Sequence, residues 1–322
     1  MTLPRQSSNE AMAKAWILAG ATASGKSAVA QILAEKLGCA IISADAMSVY
    51  KGMDIGTAKP GEAERARVKY FGLDLTTPDQ SFSTGLWLAD VSRAAAAAGP
   101  EPGCRLIAAG GTGLYINAVT RGLGGRAADP AARSRWHALF ESGGVAALRA
   151  AITARAPSAL DRLADPDNPR RLIRALEHID ASGALPASWS GPLGAPPVTV
   201  LRLPRAHLHD RIRRRVADMF RQGFVEEVRA LCRQFPHWSP TASKAIGYAE
   251  VRAMLDGAMT LDAALERTVT RTRQLAKRQE TWFRHQSNAV WIDITDNDPP
   301  AQVADLVLQK WREHGPAELV CV

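Results

Sequence analysis

The octapeptide GATASGKS, residues 20–27, combines residue types that bind phosphate groups. It matches the GxxxxGK[ST] pattern and lies between the apolar run AWILAG and a helix-like stretch, which is the strand–loop–helix context that this pattern requires. Its glycines let the backbone curl around an anion, and the amides of residues 22–27 are expected to point inward at the positive end of the helix dipole. The loop therefore predicts a diphosphate or triphosphate ligand. The predicted phosphate-binding residues are Gly20, Ala21, Thr22, Ala23, Ser24, Gly25, Lys26 and Ser27.

One carboxylate closely follows a predicted strand near this loop: Asp45, at the end of CAIISAD. The strand-like run RLIAA ends in GGTGLY, with Thr112 and no acid, whereas a nucleotide-hydrolysing P-loop enzyme usually places an Mg²⁺-binding carboxylate there. In a doubly wound sheet both strand ends open onto the same crevice. A phosphate cradle, one carboxylate and one threonine suit proton abstraction beside a diphosphate leaving group better than they suit hydrolysis.

Five short apolar runs, rich in Ile, Val and Leu, predict strands that are buried on both faces of a parallel sheet. They cover residues 15–20, 39–45, 105–111, 198–203 and 289–295. Helical patterns lie between them, such as the stretch after the phosphate loop, which is expected to end at Gly38. The alternation of strand, loop and helix predicts an open α/β sheet.

The pattern changes at about residue 121. The chain then looks helical to about residue 181, with a helix that starts at Asp129-Pro130, and a loop rich in proline and glycine follows. Such a stretch between two strand-rich regions predicts an insertion domain. We expect residues 1–120 and 190–322 to form the α/β core, and residues 121–189 to form the helical insertion.

The composition is that of an ordinary globular protein, with 322 residues, 46% hydrophobic and 22% charged. Disorder, collagen and coiled coil are excluded as overall descriptions. The sequence contains no run of 18 apolar residues, so no membrane span is expected. The polar N-terminal stretch leads into a predicted strand, so no signal peptide is expected either. Four widely spaced cysteines without a CxxC pair indicate reduced thiols. A cytoplasmic protein without membrane contact is expected.

The net charge of +8 is concentrated in one part of the chain. Residues 202–284 carry 17 basic and nine acidic side chains, a net charge of +8, which equals that of the whole protein. A localised basic block is the electrostatic footprint of a polyphosphate or nucleic-acid partner. On charge alone, a solvated helix face rich in arginine is an equal alternative.

Six motifs, in this order, resemble those of the tRNA dimethylallyltransferase family and together span nearly the whole chain. The motifs are GATASGKS (20–27), DAMSVYKGMDIGTAKP (45–60), GGTGLY (110–115), NPRRLIRALE (168–177), KAIGYAE (244–250) and TRQLAKRQETWFR (272–284). The resemblance implies a P-loop NTPase-like α/β core with an all-α insertion that helps to grip the anticodon stem-loop. It also implies transfer of a dimethylallyl group from its diphosphate to N6 of the adenosine next to the anticodon (position 37).

The resemblance implies catalytic roles for Asp45, Thr112 and Lys26. Asp45 matches the carboxylate thought to take a proton from N6, and an aryl amine needs this help because it is a poor nucleophile. Thr112 matches a threonine near the reacting amine and the diphosphate. The structural alternatives are a strand-end cap for Asp45 and a helix N-cap for Thr112.

The resemblance also implies how the diphosphate is held. Lys26, Ser27 and the loop amides would bind it and stabilise the charge that develops as it leaves. The Ser27 hydroxyl would be a ligand of Mg²⁺. Arg211 and Arg215 match arginines on a helix that faces the site and would add a further clamp, although a solvated surface position is the alternative.

The expected partners are dimethylallyl diphosphate and a tRNA anticodon stem-loop, and the enzyme is expected to act as a monomer. The target base must be turned out of the anticodon loop to reach the site. Trp282 and Phe283 are expected to be core anchors and not stacking partners. The implied tRNA-binding residues are Asp45, Ala46, Met47, Ser48, Thr112, Arg133, Arg170, Arg171, Arg174, Lys244, Gly247, Tyr248, Arg273, Lys277, Arg278, Gln279 and Arg284.

The sequence departs from the family pattern at Ala21, where proline is common, and at Ala46 and Ser48, where serine and glutamine are usual. None of these changes removes the predicted base or the phosphate loop. Three alternative functions remain at this point: an adenylate isopentenyltransferase, a small-molecule P-loop kinase, and an RNA-binding module with a degenerate site.

Overall fold

The computed structural model describes residues 13–99, 105–123, 129–163, 165–185 and 194–321. The chain divides into two compact units. The first consists of Met1–Gly122 and Gly191–Val322, and the second consists of Leu123–Ser190. The first unit contains every strand among the described residues, and the regular elements in the described part of the second are all helices.

A sheet of seven strands forms the centre of the first unit within the described residues. Six strands follow the order β3-β2-β4-β1-β5-β6 and are all parallel, while β7 pairs antiparallel with β1. The strands are β1 (Lys14–Gly20), β2 (Ala40–Ser43), β3 (Tyr70–Phe71), β4 (Leu106–Gly110), β5 (Pro197–Arg202), β6 (Asn288–Asp293) and β7 (Ala317–Glu318). The five strands expected from the sequence are confirmed, as is the α/β fold with a parallel core.

Eleven α-helices occur in the described residues. They are α1 (Lys26–Leu37), α2 (Glu62–Arg67), α3 (Thr84–Ala98), α4 (Gly113–Arg121), α5 (Pro130–Arg155), α6 (Pro169–Ser182), α7 (Arg205–Arg221), α8 (Phe224–Gln234), α9 (Tyr248–Leu255), α10 (Leu261–Gln286) and α11 (Pro300–His314). Helix α1 ends at Gly38, which has a φ of +65° and donates its N–H to Ala34, as the sequence predicted.

Apolar side chains on both faces of the sheet explain why its strands lack an alternating pattern. Leu18, Ile107 and Leu201 belong to a buried cluster that includes side chains of α1, α7 and α11. Their neighbours in the strands, such as Ile17 and Ala108, are also buried and point to the other face. Helices therefore cover the sheet on both sides and leave the strand ends as the accessible edge.

The second unit contains α5 and α6 with a hydrophobic core of its own. Asp129 caps α5 by accepting a hydrogen bond from the Ala131 N–H at 3.0 Å, with Pro130 at the first helical position. The predicted helix start at Asp129-Pro130 is therefore confirmed. Gly144, with a φ of +63°, kinks α5 near its middle. No helix in the described parts of either unit is long and apolar enough to cross a membrane.

The carboxyl ends of β2 and β4 lie in direct backbone contact. Ala44 donates its N–H to the Ala109 oxygen at 2.8 Å, and its own oxygen accepts from the Thr112 N–H at 3.0 Å. Gly110 permits this approach because a Cβ at that position would lie 2.1 Å from the Ala44 oxygen. The contact brings the residues that follow the two strands side by side.

Replacing Gly110 by alanine should therefore destabilise the protein. The backbone of β2 cannot move aside as a flexible side chain would, so we expect a loss of about 1–3 kcal/mol in the free energy of unfolding, the usual cost of overpacking. Gly61→Ala is the matched control, since Gly61 has a φ of −74° and the nearest atom to its added Cβ lies 3.7 Å away. Urea unfolding measures both variants, and equal stability would contradict the close contact.

Candidate active site

The phosphate loop leads from β1 directly into α1. Gly25, with a φ of +87°, and Ala23, with a φ of +64°, turn the backbone back on itself before the helix begins at Lys26. At Gly20 a Cβ would lie 2.7 Å from the Ser24 hydroxyl, so the start of the loop requires glycine. The Ser24 hydroxyl is buried and has no hydrogen-bond partner among the described residues. The loop thus has the shape of an anion cradle at a helix N-terminus.

Lys26 is the cation of this cradle. Its ammonium group donates to the Ala21 oxygen at 3.2 Å. Burial and, to a smaller extent, nearby Arg215 lower its pKa to about 8, and Asp45 acts in the opposite direction. A lysine in this state gains free energy from a bound anion, because the anion restores the charge that burial disfavours.

Helix α7 brings two arginines to the same place. Burial lowers the pKa of Arg215, and Asp45 opposes this effect. Arg211 donates from Nε to Asp296 and from one terminal nitrogen to the Thr295 oxygen at 3.4 Å. Its other terminal nitrogen lies 3.5 Å from the position of a Cβ on Gly25. The carboxylate therefore holds the guanidinium with one edge toward the phosphate loop.

Asp45 and Thr112 meet at the carboxyl ends of β2 and β4. The Thr112 hydroxyl accepts a hydrogen bond from the Ala46 N–H at 3.0 Å and makes no cap bond to α4. Asp45 Oδ1 accepts from the Met47 N–H at 2.9 Å, which fixes the carboxylate, and Oδ2 has no hydrogen-bond partner among the described residues. Burial raises the pKa of Tyr115, and Asp45 adds to this effect.

Helix α10 contacts both the phosphate loop and the turn that follows β4. Gln279 accepts a hydrogen bond from the Thr22 N–H at 2.8 Å, and its amide would lie 2.4 Å from a Cβ on Gly111. The expectation that all amides of residues 22–27 face the ligand is therefore wrong: that of Thr22 is used by Gln279, and that of Ser24 donates to Ala21 at 3.2 Å. The amides at the first turn of α1 remain for an anion.

A cavity of about 1110 Å³ lies over these residues. The cavity is lined by the phosphate loop, by helix α7 and by the irregular segment that runs from the end of β2 to α2. Ala46 and Met47 are half-buried beside the cavity, and Ser48 is buried in its wall. The predicted phosphate-binding residues and the predicted base Asp45 therefore line one space.

Six residues expected to bind RNA have exposed side chains. They are Arg170, Arg171, Lys244, Lys277, Arg278 and Arg284. Arg133 and Arg174 are instead paired with the buried carboxylate of Glu177, at 2.6 and 2.9 Å. Burial would raise the pKa of Glu177, but the hydrogen bonds from these arginines lower it. Arg133 and Arg174 thus share Glu177 as a structural partner in the second unit, which the sequence pattern did not indicate.

Three further residues with an expected RNA role are built into the protein interior. Tyr248 is fully buried, and its hydroxyl donates to Glu227 at 2.6 Å. Gly247 is buried and donates its N–H to Glu250 at 2.7 Å. Arg273 is half-buried, and its Nε has no partner among the described residues. Tyr248 and Gly247 are thus used in packing within the free protein, and the RNA role expected for these residues stays a prediction.

Trp282 and Phe283 are core anchors, as expected. Phe283 is fully buried, and Trp282 packs on Gly113, where a Cβ would lie 2.2 Å from the indole ring. Sequence reasoning missed the three acids that hold functional elements: Glu177, Glu227 and Asp296. Each has a partner at least 44 residues away along the chain. Glu177 ends the NPRRLIRALE motif, but nothing in that motif indicated its pairing with Arg133.

Comparisons with known proteins bear directly on this site. The model of the family described as IPP transferase matches residues 48–286, and the model described as isopentenyl transferase matches residues 13–79. A tRNA dimethylallyltransferase of Thermus thermophilus is 40% identical over 282 residues, which cover 85% of this chain and 90% of the relative. One from Parafrankia sp. is 39% identical over 281 residues, covering 86% and 87%. The chain belongs to the IPP transferase family.

Solved structures of this family resemble the chain over most of its length. The full-length tRNA isopentenylpyrophosphate transferase of Bacillus halodurans has a TM-score of 0.63 and 35% identity, and the match covers 92% of this chain and 96% of that one. A eukaryotic dimethylallyltransferase acting on tRNA has a TM-score of 0.71 at 22% identity, covering 94% and 76%, and shows the fold alone. The expected P-loop-like core with an α-helical insertion is confirmed for this IPP transferase.

We expect the affinity of this IPP transferase for inorganic diphosphate to fall above about pH 8. The pKa of Lys26 in the free protein is about 8, and a bound anion raises it, so the ligand favours the protonated lysine. Affinity is full below this pH and then falls by up to about tenfold per pH unit, because one proton is taken up with the ligand. Calorimetry in metal-free buffer measures this dependence.

Lys26→Met is the control for this measurement. It should bind diphosphate more weakly at neutral pH and keep only the pH dependence that comes from the ligand's own titration. A wild-type affinity that follows the same pH curve as the Lys26→Met variant would contradict the assignment of Lys26 to the anion cradle.

Proposed function

We propose that the protein transfers a dimethylallyl group from dimethylallyl diphosphate to N6 of the adenosine next to the anticodon of tRNA. The observation that carries this proposal is that Asp45 and the phosphate loop line one cavity, with the Thr112 hydroxyl bonded to the residue after Asp45, in a chain of the IPP transferase family. The curated relatives named above are tRNA dimethylallyltransferases, which supports the same reaction.

The diphosphate would lie on the first turn of α1. Lys26 and Arg215 would neutralise its oxygens, and Arg211, oriented by Asp296, would complete the clamp. As the bond between the allylic carbon and the diphosphate oxygen breaks, these cations stabilise the developing negative charge. These half-buried cations contribute more than fully exposed ones would, since water screens them less.

Magnesium fits the donors at this position. Ser27 offers a hydroxyl oxygen at the exposed start of α1, and phosphate oxygens would supply further hard ligands of the kind that Mg²⁺ prefers. The described residues hold no cluster of His, Cys, Asp and Glu that would bind a metal without the substrate. Bound there, Mg²⁺ would supply positive charge to the leaving diphosphate.

Asp45 would act as the general base. Its Oδ1 is fixed by the Met47 N–H, which leaves Oδ2 to accept the proton of the N6 amine as this nitrogen attacks the allylic carbon. The Thr112 hydroxyl accepts from the Ala46 N–H and can donate its own hydrogen to a substrate atom. Asp45 and the bound diphosphate would thus approach the acceptor from one crevice.

The exposed basic residues of α6, α10 and the loop before α9 would bind the tRNA backbone. We infer that the enzyme works as a monomer, because the phosphate loop, the predicted base Asp45 and the arginines of α7 already line one cavity of a single chain. Cys39, Cys232 and Cys321 form no disulfide among the described residues, which supports a reducing, cytoplasmic location.

A second candidate is transfer to free adenylate. It is favoured by the isopentenyl transferase model that matches residues 13–79. The exposed basic residues on α6 and α10 have no role with a free nucleotide, so tRNA is the acceptor that explains more of the chain. Competition between tRNA and AMP for labelled dimethylallyl diphosphate separates the two, and label in AMP alone would favour the second candidate.

Asp45→Asn should abolish most catalysis while both substrates still bind. The amide keeps the shape of the side chain but cannot take the proton, and general-base contributions are about 10²–10⁴-fold. Single-turnover rates with saturating RNA and dimethylallyl diphosphate measure the loss. Glu62→Gln is the control, because Glu62 is an exposed carboxylate that lines the same cavity. A near-normal rate for Asp45→Asn would refute the base role.

Affinity for an anticodon stem-loop should fall steeply with salt. Each neutralised phosphate contributes about −0.7 to −0.9 to the logarithmic slope, because counterions are released. Reversing the charges of Lys277, Arg278 and Arg284 should flatten this slope, whereas Arg312→Glu, on exposed α11 surface outside the basic block, should not. Filter binding at several salt concentrations measures both. An unchanged slope in the triple variant would show that these three side chains contact solvent and not RNA.

A further inference from the structure

One wall of the cavity consists of residues 51–60, here called the 51–60 loop, which contain no helix or strand. The loop carries most of the long motif YKGMDIGTAKP, yet the roles proposed above for phosphate, base and RNA use none of its residues. Gly52 and Ala58 have positive φ values of +75° and +50°. A loop with left-handed positions and no ladder of its own needs outside partners to keep a single shape.

Glu227, in the first turn of α8, is the principal outside partner. Its Oε2 accepts hydrogen bonds from the backbone N–H groups of Ile55 at 2.7 Å and Asp54 at 3.1 Å, and Oε1 makes a longer contact of 3.5 Å with the Gly56 N–H. Oε1 also accepts from the Tyr248 hydroxyl at 2.6 Å. Donors converge on both oxygens, which glutamine cannot satisfy because it has one acceptor oxygen and an NH₂ group.

Packing presses the loop onto the same two helices. A Cβ on Gly56 would lie 2.4 Å from the ring of Phe224 and 2.5 Å from that of Tyr248. These two rings are fully buried and meet edge to face, with centroids 4.9 Å apart. The tyrosine of the KAIGYAE motif therefore serves the loop, which explains its burial.

Lys59 connects the loop to the stretch directly after the catalytic carboxylate. Its side chain is 1% exposed, and its ammonium group donates to the Tyr50 oxygen at 2.6 Å and to Asp54 at 2.8 Å. It also donates to Asp74 at 2.6 Å, whose backbone N–H donates to the Ser48 oxygen at 3.1 Å. A shift of the loop would therefore move the backbone that orients the base.

We propose that Glu227 is a positioning residue of the transferase reaction. Its carboxylate fixes the 51–60 loop, and through Lys59 the stretch after Asp45, in the geometry that lets Asp45 meet the acceptor amine. The inference rests on the proposed function. Glu227 lies outside the cavity lining, so its loss should lower the rate and leave substrate affinity nearly unchanged.

The test compares Glu227→Gln with Glu226→Gln in the full-length protein. Glu226 is the exposed neighbour of Glu227 in the same helical turn and pairs with Arg229 at 3.5 Å. For Glu227→Gln we expect a single-turnover rate about 10–100-fold lower, the size that a misplacement of about 1 Å produces. Diphosphate and RNA affinities should stay within about threefold, and hydrogen exchange at the amides of residues 54–56 should accelerate. Glu226→Gln should match the wild type.

The results separate this inference from the proposed function. A wild-type enzyme without prenyl transfer would refute the function and the inference with it. An active wild type with a normal Glu227→Gln rate, or with a slow variant whose exchange at residues 54–56 is unchanged, would overturn the inference alone. Should Glu227→Gln fail to fold, Tyr248→Phe removes one donor to Glu227 and keeps the carboxylate on the loop. It should lower the rate severalfold, and a wild-type rate in that variant would also overturn the inference.

Discussion

The carboxyl ends of β1, β2 and β4 must approach one another with no side chain between them, and the site depends on this approach. Glycines make it possible: a Cβ would lie 2.7 Å from the nearest atom at Gly20, 2.1 Å at Gly110 and 2.4 Å at Gly111, and at Gly110 this atom is the backbone oxygen of Ala44. The result is that Asp45 shares a cavity with the phosphate loop, and Thr112 is held beside the residue that follows Asp45. Helix α10 can then contact both loops at once.

The charged residues around the cavity have different roles, which depend on where each lies and how far it is buried. The basic side chains at the phosphate loop, Lys26 and Arg215, are left with Asp45 as a nearby acid, so the cradle favours an anionic ligand. Two acids outside this cavity lining fix neighbouring elements: Asp296 orients Arg211, and Glu227 holds the 51–60 loop.

Local patterns were sufficient for the phosphate loop, five strands and the start of α5. The adjacency of Asp45 and Thr112 was also predictable, because parallel strands end at one edge. The two-residue strands β3 and β7 carry too few residues for a pattern, and contacts such as that between Gln279 and Thr22 span 257 residues. The motif resemblance implied an RNA role for Tyr248, whereas the hydrogen bond from its hydroxyl to Glu227 is evident only from the fold.

The most direct measurement follows both products of one reaction. The protein is incubated with unmodified tRNA and dimethylallyl diphosphate, released diphosphate is quantified, and nuclease fragments of the tRNA are analysed by mass spectrometry. The account predicts one isopentenyl group on the adenosine next to the anticodon for each diphosphate released. Diphosphate release without a modified adenosine, or a modified adenosine elsewhere in the tRNA, would contradict it.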